Sequence, residues 1–502
     1  MKAQGSPPNF AYWADQYAFE SMPMRVRLAD LDGDGFVDMC HPLQGTISVQ
    51  GRGPRVYWNR GNGTCVAVQL DVPPTVDPYA WPAQVLAVGD VDGDGDIDIL
   101  APQGAYPAFG PLPPHVFLNH GGRRFSVDTR VPFPRASIES HGGELFDADG
   151  DGDLDAVFWG DSRTRGRADR LFLNDGSGRF SDVTNTHLPV IVGFSRHVCV
   201  LDVDRDGDRD LLWLVWEGAS PSVLAVNDGT GRFAVQQVLP VQWALHAVCG
   251  DLNGDGHVDA FVGCDGPPDK LLLNDGTGRL ADMSHLLPGK QVPDKTEGAH
   301  CVDIDKDGDL DILIASQYQD RIGRRGPHLW INDGTGRFSD VSVWTLMNGN
   351  ETPWYDVTTG DLDADGDLDI VGTNFDVSLQ DLRGRVITGI QSHLYCGPVV
   401  ARGSSLSVQM YAEPGLVVAP YVGAPMSPVW IYPFGAWGLD PGRMLQLPLA
   451  QIGSGGGLTL RYAVPTDPSL SGVAVRVQGA LLGVVNQVPV IRTTDWNEVR
   501  VQ

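Results

Sequence analysis

Seven times along this 502-residue chain an aspartate-rich loop returns with the same internal spacing. The second copy shows it plainly: Asp90-Val-Asp92-Gly-Asp94-Gly95-Asp96-Ile-Asp98, with carboxylates at positions one, three, five and nine and a glycine at six. The first, third and fourth copies are Asp30, Asp32, Asp34 and Asp38; Asp147, Asp149, Asp151 and Asp155; and Asp202, Asp204, Asp206 and Asp210. The last three are Asp251, Asn253, Asp255 and Asp259; Asp303, Asp305, Asp307 and Asp311; and Asp361, Asp363, Asp365 and Asp369. Successive first aspartates lie 49 to 60 residues apart. A repeat of that period restricts the chain to a solenoid, a propeller or an array.

Hard oxygen ligands at alternate positions, with a glycine allowing a sharp turn, suit Ca²⁺, and position seven can add its backbone carbonyl. Four converging carboxylates repel one another. Each pair at ~4 Å costs roughly 1 kcal/mol in water and up to about 4 near a protein surface, and a divalent cation removes that cost. Mg²⁺ fits less well, because it demands six-fold geometry and keeps its waters. Plain solvated Asp/Gly turns would not need the recurring position-nine aspartate. The loop is not an EF-hand, which places a glutamate at position twelve between helices. Here position twelve is His41, Ala101, Phe158, Trp213, Val262, Ile314 or Gly372, and the flanks are strand-like. About seven Ca²⁺ ions, each stapling the connection between two strands, are therefore expected.

A second landmark follows the loops. Asn174-Asp-Gly-Ser-Gly-Arg-Phe180, Asn227-Asp-Gly-Thr-Gly-Arg-Phe233, Asn274-Asp-Gly-Thr-Gly-Arg-Leu280 and Asn332-Asp-Gly-Thr-Gly-Arg-Phe338 each sit between apolar runs, a strong hairpin signal. Copies one and two carry worn forms, Asn59-Arg-Gly-Asn-Gly63 and Asn119-His-Gly-Gly122. One repeat thus holds four strands: A before the loop, B after it (Ile97 to Leu100), then C (Val116 to Leu118) and D around Phe125, joined by the hairpin. Seven such units suit a closed propeller better than a linear solenoid, because strand A is apolar in every copy and would form a shared inner wall. In the last repeat, His393 to Tyr395 reads as strand C, with no Asn-Gly hairpin behind it. The run Phe10 to Trp13 has no other assignment and is expected to supply that blade's outer strand, limiting exposed edges. The fold class is all-β: a seven-bladed propeller over 1–397 and a small antiparallel β-sandwich over 398–502, where alternating runs such as Ser405–Gln409, Leu445–Leu449, Leu458–Tyr462 and Val473–Gln478 replace the loops.

These motifs resemble the FG-GAP/VCBS repeat family, which includes the calcium-stapled propeller of the integrin α-subunit, over about residues 10 to 397. The resemblance implies seven blades, one Ca²⁺ per loop at the positions named above, and a secreted or cell-surface protein. Asn253 keeps an oxygen but loses a charge, so that site should be the weakest. The tail, through Thr466–Gly472 and Val475–Gly479, resembles the C-terminal β-domains that follow such repeats in large secreted or surface proteins of bacteria. Family members include adhesion ectodomains, carbohydrate binders and polysaccharide lyases, so the resemblance implies no single activity.

Charge points the same way. The net charge of -27 argues against nucleic acid and anionic membranes as partners. Much of it lies in the loops, and seven dications would reduce it to about -13. No run of about 18 apolar residues is present, so no membrane span is expected. Met1 to Pro8 lacks the apolar core of a signal peptide. Weak aspartate sites fill at extracellular calcium levels, so the expectation is a secreted or surface protein whose signal has been removed. Seven cysteines leave at least one unpaired in a monomer. Cys199, Cys249 and Cys301 read as small buried core residues, while Cys40 and Cys65 could be bridged within one repeat.

One further cluster stands out. His141, His197, His246 and His300 lie three to six residues before the first aspartates of repeats three to six. Trp243, Trp354, Glu144, Glu297, Arg196 and Tyr355 are close by in sequence. Two readings follow: independent polar residues, or a face that binds an extracellular glycan or protein. As a binding or adhesion module the chain would have no catalytic residues. The alternative is a polysaccharide lyase or hydrolase using these histidines.

Overall fold

Position nine of the loop determines how each repeat folds. Asp38, Asp98, Asp155, Asp210, Asp259, Asp311 and Asp369 each begin a second strand and are fully buried. One carboxylate oxygen accepts the N–H of loop position two (from Leu31, Val91, Ala148, Val203, Leu252, Ile304 or Leu362) at 2.7 to 3.1 Å. In the first six repeats the other accepts the N–H of the hairpin asparagine at 2.6 to 2.8 Å. A buried carboxylate is tolerated only with such donors, so this residue ties loop, second strand and third strand together.

The computed structural model describes residues 10–12, 25–42, 52–61, 65–72, 85–102, 114–128, 133, 140–161, 169–266, 268–288, 295–304, 307–316, 327–340, 354–362, 368–374, 385–389, 394–396, 399–400, 404–411, 417–431, 435–446, 449–451, 457–464, 466, 474–485 and 488–501. The chain is all-β, and seven four-stranded antiparallel sheets form the blades of a propeller. Blade two is Ala87–Gly89, Asp98–Ala101, His115–Asn119 and Phe125–Val127, bonded in that order. Blade seven is Trp354–Gly360, Asp369–Asn374 and Arg385–Gly389, and its fourth strand is the N-terminal Phe10–Tyr12, which pairs Phe10 with Gly389 and Tyr12 with Ile387. The closure expected from Phe10–Trp13 is thus present.

The third strand of that blade differs from expectation. Leu394–Cys396 pairs with Ser405–Tyr411 in the tail, and Arg385–Gly389 takes its place in the blade. Without an Asn-Gly hairpin, nothing in the sequence marked which apolar run would pair. In the tail, Leu394–Cys396, Ser405–Tyr411 and Gly457–Ala463 form one sheet. Val399–Val400, Val488–Val501, Ala474–Val485, Val417–Ile431, Gly435–Gln446 and Ala450–Gln451 form another.

The core lies between blades. Val157, Trp159 and Leu171 of the third pack with Leu211, Trp213 and Val215 of the fourth in one buried cluster. The second strands Asp98–Ala101, Asp155–Gly160, Asp259–Cys264 and Asp311–Ser316 are buried on both faces, as strands sandwiched between neighbouring sheets must be. Polar stitches reinforce this packing. The Nδ2 of Asn119, Asn174, Asn227, Asn274 and Asn332 each donates to the position-two carbonyl of the preceding blade at 2.6 to 2.8 Å. Asn59 of blade one donates to Leu362 O of blade seven at 2.8 Å, which closes the ring. Asn274→Leu removes the stitches to Val203 O and Val258 O and leaves buried carbonyls unmet. It should lower stability by about 2–4 kcal/mol, read by urea denaturation, with the all-β circular dichroism spectrum retained.

Candidate functional site

The aspartate loops form the first candidate site. Position-one Oδ1 accepts the N–H of position four, as in Gly93 to Asp90 at 2.8 Å, and Oδ2 accepts that of the position-six glycine, as in Gly95 to Asp90 at 2.8 Å. The glycine makes this possible with φ between +85° and +98° in the six described loops. Position five accepts from position seven, as in Asp96 N to Asp94 Oδ1 at 3.0 Å. These bonds turn the carboxylates inward. Ligand atoms of Asp30, Asp32 and Asp38, of Asp90, Asp92 and Asp98, of Asp147, Asp149 and Asp155, and of Asp202, Asp204 and Asp206 lie within 4.8 Å of one another.

The expected sites are not equivalent. Asp34, Asp94, Asp151 and Asp210 flank these groups without belonging to them. In the fifth loop Asn253 Nδ2 donates to Asp255 Oδ2 at 3.0 Å, beside Asp251 and Asp259. In the sixth, Asp303, Asp307 and Asp311 are described, while Asp305 lies outside the described residues, as do Asp363 and Asp365 between Asp361 and Asp369.

The donor set fits a hard divalent cation. All its members are oxygens, and Asp149 Oδ1 is buried with no hydrogen-bond partner among the described residues. Burial pushes Asp38, Asp210 and Asp259 up to about 6, and Asp98, Asp155 and Asp311 up to about 7; backbone N–H donors oppose the shift and neighbouring carboxylates add to it. Burial, then Asp151, raises Asp149 as well.

The second candidate site was the histidine cluster. His197 and His246 do meet, with ring centroids 4.2 Å apart, and both are buried. Each Nδ1 accepts a backbone N–H from the next blade, Ala247 to His197 at 3.3 Å and Ala299 to His246 at 3.1 Å. Burial, then Arg25, holds both rings well below the usual histidine range, and burial lowers His300 to about 4. These two rings are neutral structural acceptors, with Nδ1 committed to the backbone. His141 packs on Phe194 at 4.3 Å. The tryptophans are elsewhere. Trp354 is 1% exposed in the core of blade seven, against Gly372, and presents no face to a ligand, whereas Trp243 is 59% exposed. A tryptophan's sequence position does not disclose which side of its strand it takes.

Around these rings a polar network spans the inner strands. Buried Arg25 of blade one pairs with Asp356 of blade seven at 3.4 Å and donates to Glu297 O of blade six at 2.9 Å. Arg196 of blade four reaches Glu297 Oε2 at 3.2 Å and Tyr355 Oη at 3.3 Å, Lys295 Nζ lies 2.6 Å from Glu297 Oε1, and Arg27 pairs with Glu144 at 3.4 Å. Arg25, Arg27, Lys295 and Asp356 were not singled out from the sequence. A signal existed: Arg25, His197, His246 and Asp356 all stand five residues before a first aspartate. Cys199 and Cys249 are joined by a disulfide between adjacent inner strands, so they are not independent core thiols. Cys40 is a buried thiol without a bridge.

A cavity of 1040 Å³ opens at the opposite strand ends from the aspartate loops. It is lined by Trp216 and Glu217 from the end of blade four's second strand, Gln242 and Trp243 from the link to blade five, and Lys270 at the start of blade five's third strand. Trp216 is held by Nε1 donating to Asp265 Oδ2 at 3.1 Å.

The FG-GAP-like repeat family matches residues 46–101, 147–213, 251–314 and 303–372. The chain carries FG-GAP-like repeats. Cartilage acidic protein 1 of Xenopus tropicalis is 29% identical over 157 residues, 29% of this chain and 24% of that protein, so the match spans about a quarter of the relative. Among solved structures, β-fructofuranosidase of Schwanniomyces occidentalis aligns over 99% of this chain and 95% of its own at 8% identity and a TM-score of 0.30. Trypsin-activated alpha-2-macroglobulin of Escherichia coli aligns over 97% and 39% at 11% identity and a TM-score of 0.16. Likeness that weak carries no argument about this repeat protein. Among the described residues no helix is long and apolar enough to cross a membrane.

The raised aspartates set a pH dependence. Their folded values exceed the unfolded carboxylate value of about 3.9, so the folded state binds more protons between roughly pH 4 and pH 7. Chelated protein should therefore lose stability as pH rises through that window. A divalent cation favours the ionised form and should flatten or reverse the slope, read as melting temperature against pH in chelator and in excess cation.

Proposed function

We propose that this repeat protein is a calcium-stapled propeller, secreted or displayed at the cell surface, that binds an extracellular glycan or protein ligand. The observation that carries the reading is the aspartate loop: three carboxylates held within 4.8 Å in each of four blades, one with a buried oxygen that meets no donor among the described residues. Ca²⁺ is preferred over Mg²⁺ because its flexible coordination accepts a loop whose position-nine ligand already receives two backbone N–H groups. The extracellular setting is supported by the disulfide between Cys199 and Cys249, by the stretch similar to cartilage acidic protein 1, and by calcium levels outside cells. The two tail sheets read as the leaves of a β-sandwich that follows the propeller.

Ligand binding is assigned to the cavity at Trp243. Aromatic rings offer flat apolar faces to a pyranose, and Glu217, Gln242 and Lys270 offer hydrogen bonds to its hydroxyls. That chemistry favours a glycan over a protein ligand. The histidines near the axis are engaged by backbone groups and need no reactive role.

Chelator should lower the melting temperature by several degrees, and added Ca²⁺ should restore it. An unchanged melting curve, with no calcium retained after dialysis, would reject the reading. On a glycan array, Trp243→Ala should lose at least tenfold in affinity for any glycan the parent binds and leave the melting temperature unmoved.

A further inference from the structure

Three of the four intact hairpins lay their second glycine on the loop of the preceding blade. Gly231, Gly278 and Gly336 adopt φ of +73°, +77° and +76°, and a Cβ at each would lie 3.4, 2.9 and 3.4 Å from the Cβ of Asp149, Asp204 and Asn253. Those are the position-three residues of blades three, four and five. The hairpin glycine therefore leaves room beside a loop ligand.

Blade two departs from this. Its hairpin reads Asn119-His-Gly-Gly-Arg-Arg-Phe125, which puts Arg123 where the four intact hairpins have that glycine. Arg123 keeps the left-handed backbone, with φ of +67°, a conformation unfavourable for a residue with a side chain. Arg124 fills the place of the usual hairpin arginine, so Arg123 is an additional cation. Its Nε donates to Asp32 Oδ2 in a short contact, and its Nη2 donates to Asp34 Oδ2 at 3.3 Å. Its guanidinium carbon lies 5.4 Å from the centroid of the Trp58 ring. Asp32 and Asp34 are positions three and five of the blade-one loop, and the Asp32 side chain is only 4% exposed.

We propose that the blade-one loop is closed by the Arg123 guanidinium in place of a divalent ion. The inference rests on the calcium reading of the other loops and changes its count: at least one of the seven loops is stapled by the chain itself. The arginine occupies two carboxylates that an incoming ion needs, and an ion entering beside it would meet a full positive charge within a few ångströms. Blade one would then hold its shape without calcium while its neighbours depend on it.

Bound Ca²⁺ per chain, counted by equilibrium dialysis at about 1 mM free ion and elemental analysis, tests this on the full chain. Relative to the parent, Arg123→Gly should bind one ion more, Asp32→Ala the same number, and Asp92→Ala, in the blade-two loop, one fewer; alanine is used because the asparagine at position three of the fifth loop keeps a ligand oxygen. Equal binding by Arg123→Gly and parent, or loss of one ion in Asp32→Ala, overturns the inference while leaving the calcium reading intact. A parent that binds no calcium overturns both, and Asp92→Ala then changes nothing. Should Arg123→Gly fail to fold, Asp32→Ala alone decides.

Discussion

A buried carboxylate that accepts two backbone N–H groups is the constraint on which this propeller depends. At position nine of each loop it fixes the turn, starts the second strand and, in six blades, anchors the hairpin asparagine. That asparagine then reaches a carbonyl of the preceding blade. The backbone of position two is thereby held from both sides, as at Leu31: its own blade's aspartate accepts its N–H, and the next blade's asparagine donates to its carbonyl. Local loop geometry and ring geometry become one hydrogen-bonded system, and neither can relax without leaving buried polar groups unmet.

The same arrangement explains why the loops suit cations. Backbone donors hold position-one and position-nine carboxylates in place, so the acidic groups cannot splay apart to relieve their repulsion. A divalent ion or an internal guanidinium removes that cost. Arg123 brings one such positive charge to Asp32 and Asp34 of the blade-one loop. The inner strands solve a related problem differently. Buried Arg25, Asp356, Glu297 and Arg196 pair across blades one, four, six and seven, where charges removed from water must find partners.

Much was legible beforehand because the repeat was. Spacing marks seven blades, the Asn-Gly hairpin marks four strands in six of them, and an unassigned Phe10–Trp13 run marks the ring closure. The pattern misleads where the motif is worn. Without its hairpin signature, blade seven took Arg385–Gly389 and not His393–Tyr395 as its third strand. Trp354 and Trp243 looked equivalent in sequence, yet one faces the core and the other solvent.

The amino-acid pattern by itself determined the loop chemistry, the strand count and the likeness to FG-GAP repeats, because those depend on residues a few positions apart. Only the tertiary structure decided which charges meet. Arg123 lies 91 residues from Asp32 and Arg25 lies 331 from Asp356. Such pairs exist because the ring brings one blade's side chains against the next, and that proximity is not encoded in any local spacing.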